Sequence, residues 1–259
     1  GRAAAWSGGQ GRMSKLEYVD LSGLRIDGRR AHELRNINAK LGVLTQPDGS
    51  AIFEIGITKV LCAVYGPREC TLRSKELHDR MLVQVEVSTL PFASGEHKKR
   101  SRGDRQIGEL TTMLKESAEA LLLTSVHPRS QIDIVIEVMQ SDGSLKAACL
   151  NAITLALIDA GLPMRDFMVA CTAGCIDGRV IVDTNYIEDS ARGPELVVAY
   201  LPNQDKVVTC QLEPKLSLET LGPVMEAALQ GCKELYKMLH AMVLEHSCQL
   251  ATNRGTFAT

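Results

Sequence analysis

A turn of small residues that leads into a helix is the first place in this sequence where chemistry is expected. Ser144, Leu145 and Lys146 follow an alternating strand pattern and open an Ala- and Leu-rich segment typical of a packed helix. The first N–H groups of a helix have no partner inside it and lie at the positive end of its dipole, an arrangement that binds phosphate. Lys146 adds a full positive charge. The turn therefore indicates a phosphate site, although an ordinary capped strand-to-helix connection has the same pattern.

Two carboxylates further along the chain could act on a phosphate held at that turn. Asp183 ends a predicted strand, and Asp189 lies in the loop that follows it. Carboxylates that converge beside a phosphate can bind Mg²⁺, and one of them can protonate a leaving oxygen. The competing interpretation is that both carboxylates cap turns within a surface loop.

A third feature is a basic segment that covers residues 96–105. Its basic residues are Lys98, Lys99, Arg100, Arg102 and Arg105, and its acidic residues are Glu96 and Asp104. Clustered Lys and Arg on a loop that contains Gly and Ser can follow a phosphodiester backbone. The segment contains no aromatic residue, which favours binding that does not depend on base identity. A solvated surface loop is the alternative.

Strands and helices must position these residues, and the hydrophobic spacing predicts both. Helices are predicted at residues 106–123, 146–160 and 219–246, where apolar residues recur at helical spacing. Hairpins and alternating strands are predicted before the first helix and again after the second one. A strand-rich run thus leads to a long helix twice. This pattern predicts one compact α+β unit of two similar halves, joined near residue 165.

The composition is that of an ordinary globular protein. Of its residues 45% are hydrophobic, 23% are charged and only 4% are aromatic, and the formal net charge is -2. A surface that binds an anion must therefore be local. The eight cysteines form no CxxC pair and do not have the close ligand spacing of a zinc site, which predicts buried, reduced thiols rather than disulfides or zinc ligands. No apolar run approaches the length of a membrane helix, so no membrane association is expected.

The order of several motifs along the chain resembles the RNase PH family over roughly residues 20–245. The motifs are Arg25 to Arg30, Ser50 to Lys59, the basic segment ending at Arg105, Gln140 to Ala148, and Asp183 to Ser190. The arm at residues 25–30 is most similar to ring subunits of the RNA exosome. The residues at 163–166 resemble the subunit type that is catalytic in archaea.

The resemblance implies a fold, an assembly and a reaction. The expected fold is a pseudo-duplicated β-α-β arrangement, also described as ribosomal protein S5 domain 2-like. Its members form a hexameric ring around an RNA channel, and active members use inorganic phosphate to release nucleoside diphosphates from the RNA 3′ end. By resemblance, Asp183 and Asp189 are the catalytic carboxylates and a Mg²⁺ site, and Arg105 contacts the substrate phosphate. Lys98, Lys99 and Arg100 guide RNA, together with Arg105.

The chain departs from the family at the phosphate-binding turn. The family has Gly-Thr-Arg where this chain has Ser144, Leu145 and Lys146. Leu145 has no hydroxyl to donate, and Lys146 lacks the planar fork that binds phosphate through two bonds. Removing one such interaction costs about 2–4 kcal/mol of transition-state stabilisation. We therefore expect a ring subunit that binds single-stranded RNA without strong catalysis. The alternative is an active phosphate-dependent 3′→5′ exoribonuclease that uses Mg²⁺ and inorganic phosphate.

The same resemblance supplies further expectations. Expected partners are other RNase PH-like ring subunits, cap subunits of the S1/KH type, single-stranded RNA and a separate hydrolytic nuclease, in the nucleus, nucleolus and cytoplasm. The expected domain boundaries place a leader and arm at residues 1–19, the two halves at 20–165 and 166–247, and a flexible tail at 248–259. Residues 1–12 are set apart from the fold because they are Gly- and Ala-rich and precede Met13.

Overall fold

The structure is a computed structural model that describes residues 18–20, 23–70, 76–95, 104–176, 178–190 and 193–253. The strands are β1 (Ile37–Leu41), β2 (Gly49–Ile55), β3 (Thr58–Glu69), β4 (Leu82–Thr89), β5 (Ser130–Gln140), β6 (Val169–Ile176), β7 (Arg179–Val182), β8 (Glu195–Leu201) and β9 (Lys206–Glu213). The helices are α1 (Arg105–Leu121), α2 (Leu145–Asp159), α3 (Tyr186–Asp189) and α4 (Leu218–Asn253).

The first half contains a five-stranded sheet in the order β1-β2-β3-β5-β4. Strands β1, β2, β3 and β5 pair antiparallel, whereas β4 and β5 run parallel and are joined by the crossover helix α1. Helix α1 has a buried stripe at helical spacing that includes Leu114, Ala118 and Leu121, and it packs on β4. Its N-cap is Asp104, whose side chain accepts a hydrogen bond from the Gln106 amide at 3.2 Å.

The second half contains a four-stranded antiparallel sheet in the order β7-β6-β8-β9, covered by α4. Helix α2 packs against strands of both sheets, and its residues 147–157 are buried without exception. A helix that is apolar on every side belongs inside the core rather than at its edge. Asn151, its buried polar residue beside β6, exchanges hydrogen bonds with the amide and carbonyl of Ala170 at 2.8 and 2.9 Å.

The predicted α+β architecture and its three long helices are confirmed. The observed duplication is looser than expected, because among the described elements the parallel strand pair occurs only in the first half. The third helix is longer than predicted, since α4 continues beyond residue 246 to Asn253. Gln, Leu and Ala in these turns favour a helix without needing an apolar stripe. None of the described helices is long and apolar enough to cross a membrane.

Candidate functional site

Asp183 lies at the centre of the predicted site, and its carboxylate is fully bound by neighbouring side chains. Arg35 donates to both of its oxygens, from Nη2 to Oδ1 at 2.6 Å and from Nε to Oδ2 at 2.9 Å. The Arg35 amide donates to Oδ2 at 2.9 Å, and Ser144 Oγ donates to Oδ1 at 3.0 Å. Burial opposes the charge of Asp183, but the Arg35 hydrogen bonds and the charges of Arg35 and Arg29 hold its pKa below the usual value. Arg29 Nη1 lies 3.4 Å from Oδ2 of Asp183.

The turn before α2 is shaped by its contact with the same segment. Gly143 has φ +79°, and a Cβ atom there would lie 2.5 Å from the Thr184 carbonyl oxygen, so only glycine fits. Ser144 is left-handed with φ 51° and is buried. Its hydroxyl lies 2.6 Å from the Thr172 hydroxyl and turns inward, so it makes no capping bond to α2. The predicted phosphate ligand Ser144 is thus a link between α2 and Asp183.

The N-terminal arm, residues 25–35, is fastened to the segment that carries Asp183. Arg25 is buried and forms a salt bridge with Glu188 in which Nε donates to Oε1 at 2.7 Å and Nη2 pairs with Oε2. It also donates to the carbonyls of Val182 at 2.7 Å and Asp183 at 2.8 Å. Asp27 accepts hydrogen bonds from the Asn185 side chain at 2.8 Å. The arm therefore determines the position of α3, which ends at Asp189.

Lys146 is surrounded by acidic groups. Its Nζ lies 3.0 Å from Glu213 Oε1. Asp189 and Glu195 are close enough to interact electrostatically with both Lys146 and Glu213. Desolvation raises the pKa of Asp189; Lys146 opposes this shift and Glu213 adds to it. The pKa of Glu195 is also raised, first by burial and then by Asp189. The one lysine of the predicted phosphate site is thus already paired.

Arg105 begins α1 and projects into solvent. Its side chain is 92% exposed, and its Nε lies 2.8 Å from Glu109 Oε1 one turn along the helix. Arg105, Glu109 and Gln211 line a groove between α1 and β9. Gln211 in turn donates to Glu213 at 2.6 Å. Arg105 is thus an exposed arginine whose partner is a neighbouring glutamate on the same helix.

The structure separates the predicted carboxylates into two environments. Asp183 is bound by arginines and Ser144, whereas Asp189 faces Lys146 and Glu213. The residues present do not fit a Mg²⁺ site on Asp183, because both of its oxygens already accept strong hydrogen bonds. Among the residues that the structure describes, no cluster of three acidic, His or Cys ligands is placed to hold a metal. Lys98, Lys99 and Arg100 lie outside the described residues.

Sequence analysis missed four residues that shape this site: Arg25, Arg35, Glu188 and Glu213. The Arg-rich arm was identified only by its resemblance to exosome ring subunits, and its local sequence does not show which of its arginines are buried. The capping box formed by Asn185 and Glu188 was readable, since a polar N-cap is followed three residues later by Glu. Nothing local pairs Glu213 with Lys146.

Comparison with known proteins agrees with this architecture. The two domain models of the 3′ exoribonuclease family match residues 33–163 and residues 166–231, one in each half of the chain. The chain is 45% identical to exosome complex component RRP41 of Mus musculus, over 94% of this chain and 100% of that protein. It is 44% identical to the RRP41 homolog of Arabidopsis thaliana, over 93% and 100%. The crystal structure of rice (Oryza sativa) Rrp46 is 26% identical, with a TM-score of 0.76 over 85% of this chain and 100% of that one.

Two sheets pack around the buried helix α2, and the turn before α2 faces the buried Asp183. This arrangement defines an α+β protein of the RNase PH type. The chain belongs to the RNase PH family, the 3′ exoribonuclease family. The resemblance stated from the sequence motifs is thereby confirmed.

Proposed function

We propose that this chain is an RNase PH-type subunit of an RNA exosome core ring, where it binds single-stranded RNA during 3′→5′ processing and degradation and contributes little catalysis. High identity over nearly the full length to proteins named exosome components supports the assembly. The family description supports RNA as the substrate class. Its partners are then other RNase PH-like ring subunits, with S1/KH-type cap subunits and a separate hydrolytic nuclease completing the complex. We propose the nucleus, nucleolus and cytoplasm as its location.

The observation that carries the weak-catalysis part of the proposal is the ion pair between Lys146 and Glu213. Phosphorolysis requires inorganic phosphate to be held next to the terminal phosphodiester by positive charge and hydrogen-bond donors. Here the only basic residue of the turn is neutralised, and Asp189 and Glu195 lie beside it. Leu145 packs against the core and offers no donor. Such surroundings repel an incoming phosphate rather than attract one.

The RNA-binding part of the proposal predicts a defined effect of charge removal. Replacing Lys98, Lys99 and Arg100 together by Ala in the assembled ring is expected to weaken single-stranded RNA binding and to flatten its salt dependence. Removing one cation from the RNA backbone reduces the steepness of log K against log salt by about 0.7. Fluorescence anisotropy at several salt concentrations measures both quantities. Replacing Lys115 and Lys237, which lie outside the basic segment, is the control and should leave the salt slope unchanged. An unchanged slope in the triple variant would show that Lys98, Lys99 and Arg100 do not bind RNA.

The catalytic part of the proposal is tested by RNA shortening with and without inorganic phosphate. We expect little phosphate-dependent release of nucleoside diphosphates by the unmodified ring. Leu145→Thr supplies a hydroxyl donor, Lys146→Arg supplies a planar guanidinium that can bind phosphate through two bonds, and Glu213→Gln removes the competing carboxylate. The triple variant is therefore expected to raise any trace activity. Robust release by the unmodified ring that Asp189→Ala abolishes would instead establish the active exoribonuclease, with phosphate and Mg²⁺ as its requirements.

A further inference from the structure

Phe92 is an exposed aromatic side chain that the proposed function does not yet use. It is 68% exposed, and among the large hydrophobic side chains described only Leu218 is more exposed. The other two described phenylalanines are packed: Phe53 is fully buried, and Phe167 makes an edge contact with Tyr236 at 5.5 Å between ring centroids. Phe92 is thus the phenylalanine of the described chain that faces solvent.

The turn that carries Phe92 is held firmly against the site. Ala93, the next residue, is 2% exposed, and its carbonyl accepts a hydrogen bond from the Ser141 amide at 2.8 Å. Its amide donates to the Leu90 carbonyl at 3.0 Å, and the Leu90 amide donates to the Val138 carbonyl at 3.1 Å. Ser141 begins the turn that leads to Ser144 and α2. The ring of Phe92 is therefore presented outward from a backbone that is fixed beside the predicted phosphate turn.

In the sequence, the basic segment at residues 96–105 begins four residues after Phe92. Aromatic side chains beside cationic residues are the usual platform for unpaired bases, because every base has a π face that can stack on a ring. A protein partner would favour a larger apolar surface, whereas the residues adjoining Phe92 in its turn are Pro91, the buried Ala93 and the polar Ser94.

We infer that Phe92 is a nucleobase-stacking site that holds one base of a single-stranded RNA beside the turn preceding α2. The inference rests on the proposed function, since it requires RNA to pass this face of the ring. It adds a contact to the base, where sequence analysis expected contacts to the phosphate backbone alone. Any base can stack on a phenyl ring, so the contact adds affinity for RNA without sequence preference.

The test compares the ring carrying Phe92→Ala with the wild-type ring on two probes of equal length. One is a single-stranded oligoadenylate, and the other has the same phosphates and sugars but lacks the bases. We expect Phe92→Ala to weaken oligoadenylate binding about five- to 100-fold, the range for one stacked base, and to leave abasic binding unchanged. Phe92→Trp is expected to retain tight binding. Val126→Ala, which shortens an exposed side chain beyond the far end of α1, is the matched control and should change neither.

Three results would overturn the inference, and each is distinguishable from failure of the proposed function. Equal binding of oligoadenylate by Phe92→Ala and wild type would exclude stacking. An equal loss of affinity for the oligoadenylate and the abasic probe would show that Phe92 affects binding of the sugar-phosphate backbone rather than of a base. Failure of Phe92→Ala to enter the ring, seen by size-exclusion chromatography, would assign Phe92 to a subunit interface. If the wild-type ring itself binds neither probe, the proposed function fails before the role of Phe92 is reached.

Discussion

Replacing Arg35 by methionine is expected to lower the free energy of unfolding by about 3–5 kcal/mol, because the buried Asp183 carboxylate loses its main partner and keeps only the longer contact with Arg29. Arg35 supplies three of the hydrogen bonds to Asp183, and two of them come from its side chain. Methionine fills much of the same space, so the loss would report the missing charge rather than a cavity. Urea unfolding at pH 7 measures the change. Arg30→Met, at an exposed position in the same arm, is the control and should change stability by less than about 0.5 kcal/mol.

The same pair predicts how stability responds to acid. The folded-state pKa of Asp183 is lowered, so its ion pair contributes fully above the unfolded-state pKa of about 3.9 and is lost as pH falls through the lower folded-state pKa. Without Arg35, burial of Asp183 is opposed only by Arg29 and Ser144, so its pKa is expected to rise and protonation relieves the defect. The stability difference between wild type and Arg35→Met is therefore expected to shrink as pH falls from 7 towards 4. A difference that stays constant or grows would contradict this account of Asp183.

Replacing Arg25 by methionine is expected to cause a loss of similar size, about 3–5 kcal/mol, since Glu188 would remain buried and unpaired. Arg25 also donates to two backbone carbonyls, so its removal leaves three acceptors with fewer donors. The arm should then detach from α3, and amide hydrogen exchange across residues 182–189 should become faster than in the wild type. Hydrogen-exchange mass spectrometry with urea unfolding measures both effects.

A paired substitution separates lost charge pairing from a general loss of packing around Arg25. Arg25→Met with Glu188→Met removes both charges, so part of the stability lost in the single variant is expected to return. The carbonyls of Val182 and Asp183 still lose their donor, and the Asn185 amide loses its Glu188 acceptor in the capping box, which prevents full recovery. A double variant less stable than Arg25→Met alone would show that the Glu188 carboxylate does not depend on Arg25 for its stability in the fold.

The helices and most strands could be predicted because their signals are local. The stripe of Leu114, Ala118 and Leu121 predicts α1 at helical spacing, and the structure buries that same stripe. The end of α4 could not be placed from apolar spacing, because the last turns of an exposed helix have none. Prediction therefore succeeded where burial imposes a period on the sequence and stopped where the helix leaves the core.

The site residues were predicted less completely, for a physical reason. Asp183 and Ser144 were singled out by type, but their partners come from distant parts of the chain. Arg35 reaches Asp183 across 148 positions of sequence, and Lys146 meets Glu213 from the other half. Which of several arginines becomes buried is decided by the packing of the two halves, and a single sequence holds no periodic signal for it. The sequence proposed a metal ion as the partner of Asp183, whereas in the structure the cation beside it is Arg35.

The fastening of the arm to residues 182–188 has a consequence for synthesis and for recombination. Arg25 and Arg35 leave the ribosome when Asp183 and Glu188 have not yet been made, so the arm cannot dock until more than two thirds of the chain exists. The arm therefore cannot reach its final position until the second half has begun to emerge. For the same reason, a chimaera that takes its second half from a relative must inherit residues 25–35 from that relative too. Exchange at the boundary near residue 165 alone would separate Arg25 and Arg35 from the carboxylates with which they pair.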